Sequence, residues 1–185
     1  MNERQPQILD IEQVIKSKAG DKAKYVPKFL IRWFSNFMHL DFINGYLKEG
    51  YVGVDFCENC LKYLGVEIEV KGLENLPKDG SRFTFASNHP LGAIDGVTLG
   101  AIIGREYDGK IKYLLNDLLM NLKGMAPLGI PVNKFGGQAR NLTRLRDEAY
   151  RSDDQMLVCP AGLCSRMIDG KIQDYQGRNM GIFAV

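Results

Sequence analysis

The chain has 185 residues, 45% hydrophobic and 25% charged, which is enough for one domain with a sizeable core and is an ordinary globular mixture. That composition excludes a globally disordered, collagen-like or coiled-coil protein. Lysine and arginine number 24 against 22 acidic residues, a net charge of +2, which excludes a strongly basic nucleic-acid binder, so no nucleic-acid partner is expected.

Residues 8–18, ILDIEQVIKSK, put Ile8, Ile11, Val14, Ile15 and Lys18 at helical spacing, with Asp10 as the cap. GDKAKYVP breaks that pattern. A second helix is expected from Pro27, because proline suits a first turn. Its Leu30, Ile31, Trp33, Phe34, Phe37 and Met38 predict one heavily buried face. Phe42, Ile43, Tyr46 and Leu47 continue the spacing, His39 reads as a packed residue among them, and a short helix is expected over 55–64. The period then changes to that of a strand, with Val66, Ile68 and Val70 alternating with Glu67, Glu69 and Lys71. After the turn-rich GLENLPKDG, RFTFA at 82–86 reads as a buried strand, followed by a glycine-rich loop and a helix over 94–103.

Strands are expected over 110–115, 129–132 and 156–159, with a short helix over 117–122 and a long one over 138–150. The long helix carries Leu142, Leu145 and Ala149 on one side. Such alternation predicts an α/β fold, a mixed sheet flanked by helices. A helical N-terminal region over 1–64 and an α/β core over 65–185 would form a single domain overall.

No apolar run approaches the roughly 20 residues that span a bilayer. The opening MNERQPQILD lacks the basic start and apolar core of a secretory signal. Four cysteines do not make a disulfide framework. The expectation is a cytoplasmic protein with reduced thiols, whose membrane contact would be peripheral, at the inner face of the cytoplasmic membrane. Cys57 and Cys60 form a CxxC, and Cys159 and Cys164 a wider pair, but small buried hydrophobes explain them better than zinc ligands. GREYDGKI has the spacing of a phosphate-binding P-loop, yet it lacks a Ser or Thr after Lys110 and follows a helix.

The most informative stretch is SNHPLGAIDG, Ser87 to Gly96, at the carboxyl end of a predicted strand and at the start of a helix. That is where α/β proteins place ligands. His89 and Asp95 lie six residues apart, with Pro90 and Gly92 allowing a tight turn between them. A carboxylate on one ring nitrogen fixes the tautomer and leaves the other as a base. A histidine that caps the helix or satisfies a loop carbonyl fits the same residues.

SNHPLGAIDG resembles the first signature of the glycerolipid acyltransferase superfamily, Asn-His, a spacer, then Asp. Most members have four residues between His and Asp; this chain has five, Pro90 to Ile94. The longer form is similar to the bacterial hemolysin-like subgroup, which includes N-acyltransferases of ornithine- and glycine-lipid synthesis. GLENLP, PVNKFGGQARN and PAGLCSR follow the family's order, the last two in place of its second and third signatures. Ala161 stands where the third signature has Glu, so no acceptor-binding carboxylate carries over. The chain stops nineteen residues after Arg166, where relatives continue through another strand and helix, so a truncated C-terminus is expected.

The resemblance implies transfer of a fatty acyl group from a thioester, on acyl carrier protein or coenzyme A, to an acceptor. His89 would be the general base and Asp95 its orienting partner. Asn88, Gly92, Lys134, Arg140, Gly162 and Arg166 would bind substrate, the cations holding acidic groups. Neither a metal nor a resident cofactor is implied, since the thioester is a co-substrate. The subgroup points to an amino-acid amine as acceptor, with lysophosphatidate, as in 1-acylglycerol-3-phosphate O-acyltransferases, as the alternative. An inactive lipid- or carrier-binding module is the reading of another class. Between Lys16 and Arg32, six cations face Asp21 alone beside Phe29, Trp33, Phe34 and Phe37. Such a segment suits either an anionic membrane surface or a packed helix with solvated lysines.

Overall fold

The computed structural model describes residues 3–116, 119–132, 140–160 and 166–173, some of them by backbone alone. The chain divides into two compact units, Met1–Tyr51 and Val52–Val185.

The first unit is helical: α1 (Ile11–Ala19), α2 (Lys28–Phe37) and α3 (Leu40–Leu47). Asp10 caps α1 as expected, its carboxylate accepting from the amides of Glu12 and Gln13 at 2.8 and 3.4 Å. Asn44 on α3 clamps the segment before α1, accepting from Leu9 N–H at 2.7 Å and donating to its carbonyl at 3.0 Å. Two expectations fail here. Helix α2 buries none of its residues, and its aromatic face lies in the open. His39 is exposed and has a left-handed backbone (φ 48°), ending one helix and starting the next instead of packing in a core. Periodicity identifies an apolar face but does not show what covers it.

The second unit is α/β. Its main sheet has the order β1-β4-β2-β3, from β1 (Thr84–Ala86), β2 (Ile111–Asn116), β3 (Gly129–Val132) and β4 (Gln155–Val158). All three pairings are parallel, with Phe85 opposite Leu157, Tyr113 opposite Leu157, and Leu114 opposite Ile130. The antiparallel component is a separate ribbon of β5 (Arg166–Ile168) and β6 (Lys171–Gln173). Every residue of β4 is buried, as its central place requires, and Met156 and Leu157 anchor the core with Ile111. Gln155 is the buried polar residue of that strand. Its side chain accepts from Phe83 N–H at 2.7 Å.

Helices α4 (Val54–Leu64), α5 (Ala93–Glu106) and α6 (Arg140–Arg151) complete the unit. Ala149 on α6 packs with Ile130 and Met156. Helix α5 lies close to α4 and β2 because Gly100 and Gly104 have no side chains. A Cβ at Gly100 would stand 2.3 Å from Tyr113 Oη and 2.7 Å from Cys57 Sγ, and one at Gly104 2.5 Å from Val54 Cγ2. The expected strand over 66–70 does not form: Glu67 to Val70 are exposed and no described strand pairs with them. Alternation makes a strand only where a neighbour completes the ladder. The expected short helix over 117–122 is a single 3-10 turn, Leu119–Asn121, and residues 117 and 118 lie outside the described residues.

Cys57 is wholly buried and its thiol is pushed up to about 12, chiefly by burial, with Cys60 and Glu58 adding to the shift. Burial also raises the Tyr113 phenol. Below the ordinary thiol value of 9.0 the group is protonated in folded and unfolded chains alike. Above it the unfolded chain releases the proton while the folded chain keeps it, so stability falls as pH rises towards about 12. The expected outcome is a denaturation midpoint that drops above pH 9, the folding equilibrium moving by up to about tenfold per pH unit for each such group. Cys57→Ala should make the fall shallower. A midpoint that stays flat through this range in urea titrations would contradict the buried thiol.

Candidate active site

Because the main sheet is parallel, the carboxyl ends of all four strands lie along one edge. Ser87 extends β1 by one residue, donating its N–H to the Val158 carbonyl at 3.0 Å. The chain then turns through Asn88, His89, Pro90 and Leu91 into Gly92, the cap of α5. Gly92 is buried, with φ 71° and ψ −126°, a backbone that L side chains rarely adopt. This reversal brings the loop back over the first turn of the helix.

Asp95 is in that first turn, where a negative charge is favoured by the helix dipole. Its Oδ2 accepts the Leu91 N–H at 2.8 Å, so the carboxylate is fixed by the loop that carries His89. The same oxygen stands 3.3 Å from His89 Nδ1, a buried atom with no aligned hydrogen bond of its own. The two side chains are 22% and 14% exposed, sheltered yet within reach of a ligand. With Nδ1 turned to the carboxylate, Nε2 is the ring nitrogen available to exchange a proton.

Underneath, Tyr113 on β2 donates its hydroxyl to the Gly96 carbonyl at 2.7 Å, tying the residue next to Asp95 to the sheet. Sequence reasoning misses Tyr113, but a signal for it is present. Gly96, Gly100 and Gly104 recur every fourth residue, the mark of a helix face held close to a neighbour.

Of the residues expected to form the site, the structure brings His89 and Asp95 together, with Asn88 exposed beside them and Gly92 making the turn. Arg140 opens α6 after β3, described by its backbone alone. Arg166 is exposed and begins β5, opposite Gln173 in the separate ribbon. Lys134 and Gly162 lie outside the described residues. Among the described residues, no group of three or more His, Cys, Asp or Glu is placed to hold a metal.

A strand edge carrying a sheltered His–Asp pair is the arrangement the acyltransferase resemblance calls for. Residues 13–180 match the acyltransferase family model, and the chain belongs to that family. It is 50% identical over 171 residues to the lyso-glycine lipid O-acyltransferase of Bacteroides thetaiotaomicron, covering 91% of this chain and 62% of that protein. It is 48% identical to the protein of the same name from Phocaeicola vulgatus, covering 91% and 61%. The chain therefore spans about three fifths of the length of these curated relatives. No solved structure matches it significantly.

The positive φ of Gly92 yields a direct test. Gly92→Ala forces a side chain into a backbone region that costs of order 1–3 kcal/mol. We expect a lower thermal midpoint and a displaced loop, read as loss of the slow amide exchange at Leu91. A Gly92→Ala protein as stable as the parent, with Leu91 still protected, would contradict this account of the turn.

Proposed function

We propose that this chain carries the transfer centre of a lipid acyltransferase. The donor is a fatty acyl thioester on acyl carrier protein or coenzyme A, and the acceptor is the hydroxyl of an aminolipid that already holds one acyl chain. The observation that carries the reading is the His89–Asp95 pair at the carboxyl end of β1. The names of relatives about 50% identical to this chain support the hydroxyl acceptor. An amino-acid amine is the second reading, supported by the five-residue spacing between His89 and Asp95 and its resemblance to N-acyltransferases.

In this reading His89 Nε2 takes the acceptor's O–H proton as the oxygen attacks the thioester carbonyl carbon. A C–O bond forms and the C–S bond breaks. The leaving thiolate takes the proton back from the imidazolium. Asp95 holds Nδ1–H and offsets the transient positive charge on the ring. The acceptor attacks directly, so no acyl-enzyme is required. Lys134, Arg140 and Arg166 serve acidic groups of donor or acceptor, with Asn88, Gly92 and Gly162 lending loop backbone.

Purified protein given an acyl thioester with lyso-glycine lipid, glycine, ornithine or lysophosphatidate in parallel tests this, with products read by lipid mass spectrometry. Turnover should be highest with the lyso-glycine lipid. His89→Ala should lower it by about two to four orders of magnitude with folding intact. Asp95→Asn separates two roles, since its amide oxygen can still accept from Leu91 while the charge is gone; stability should hold and turnover should fall. Undiminished turnover in His89→Ala would sink the base assignment. Product from the amino acids alone would move the acceptor to the amine, and from lysophosphatidate alone to a phospholipid.

A further inference from the structure

Helix α2 is built inside out for a globular protein. At 100° per residue, Phe29, Trp33, Phe37, Leu30, Phe34, Met38 and Ile31 fill an arc of roughly 200°. Lys28, Arg32, Asn36 and Ser35 fill the rest. A surface helix normally turns such an arc to the core. Here one half of the arc, the half that adjoins Arg32 and Asn36, faces solvent most fully: Phe29, Trp33 and Phe37 are 70%, 61% and 64% exposed, with the Trp33 and Phe37 rings stacked 5.5 Å apart. The less exposed edge is Ile31 and Ser35, whose hydroxyl donates to the Ile31 carbonyl at 2.9 Å. Tyr25, just before the helix, is also exposed, with Lys24 Nζ 5.2 Å from its ring centroid.

Charge decides what covers this face. From Ala23 to Leu40 there is no acidic residue, while Lys24, Lys28 and Arg32 are all exposed along the same stretch. A second copy laid face to face would bring like charges together, which disfavours association. An anionic surface neutralises them, and interfacial aromatics beside cations suit the headgroup boundary. We infer that α2 lies in the surface of an anionic lipid bilayer, with Phe29, Trp33 and Phe37 in the acyl boundary and Lys24, Lys28 and Arg32 at the phosphates. The inference rests on the lipid-substrate reading only in preferring a membrane to another apolar partner; the geometry of α2 is independent of His89 and Asp95.

Trp33 is the single tryptophan of the chain and reports on this face directly. With vesicles of equal phosphatidylglycerol and phosphatidylcholine, its emission should shift to the blue and be quenched by lipids brominated on the acyl chain. Phosphatidylcholine alone should do much less, and raising the salt should reverse the effect. Replacing Lys24, Lys28 and Arg32 by Gln should weaken partition about fivefold for each charge removed. Phe29→Ser with Phe37→Ser should abolish quenching while leaving turnover of a water-soluble short-chain thioester and acceptor unchanged. An unquenched Trp33 on anionic vesicles overturns the proposal, as does salt-independent binding equal on both lipids. A blue shift that grows with protein concentration without lipid overturns it in favour of self-association. His89→Ala should bind vesicles like the parent. Binding without turnover in the parent would therefore fault the catalytic reading alone, and turnover without quenching would fault this one alone.

Discussion

The hydroxyl of Tyr113 reaches the Gly96 carbonyl only because Gly100, one helical turn further on, leaves room for the ring. That contact is the hinge between core and site. Tyr113 is buried and sits opposite Leu157 on the central strand, so its position is set by the best-packed part of the molecule. Its hydrogen bond passes that order to the first turn of α5, where Asp95 is the preceding residue. Cys57, from the neighbouring helix, fills the other side of the same gap. A bulkier residue at Gly100 would have to push α5 away from β2, and the first turn would move with it.

From Asp95 the order reaches His89 by way of backbone. The carboxylate oxygen that accepts from the Leu91 amide also faces the imidazole, so a single atom holds the loop and stands beside the ring. The buried Gly92 belongs to the same arrangement. Its backbone reversal brings Leu91 within reach of the carboxylate, and an ordinary residue would resist that conformation. The Ser87 N–H on the Val158 carbonyl and the Asp95 N–H on the Gly92 carbonyl tie the loop at its two ends.

How much of this is legible in the sequence depends on whether the controlling signal is local. Strand β4 and helix α6 declare themselves by composition and period within a few residues. The Asp10 cap does so by a single side chain, and the His89–Asp95 pair by a six-residue loop. The parallel order of the sheet is not local, and β4 enters between β1 and β2 from far along the chain. Residues 66–70 mislead because alternation is present while no described strand pairs with them. Helix α2 misleads for the opposite reason, since its apolar arc is real and burial does not follow from it. Tyr113 is invisible as a single tyrosine in an apolar strand, although the glycines spaced four apart on α5 point to a close approach.

The chemistry of the acceptor bears on what the His–Asp pair must supply. An α-amine is protonated near neutral pH, with a pKa around 8, and once free it attacks a thioester without help. A base then has only to collect the proton released after attack. A hydroxyl holds its proton throughout that range and is a poor nucleophile until the proton begins to leave, so the base must act during attack itself. Geometry is therefore more demanding for the hydroxyl: the base must already be aimed when substrate arrives. On the proposed reading the Asp95 carboxylate, held by the Leu91 amide, would supply that aim by closing its 3.3 Å approach to Nδ1 into a hydrogen bond. The proposed oxygen acylation therefore asks more of the His89–Asp95 geometry than an amine acceptor would.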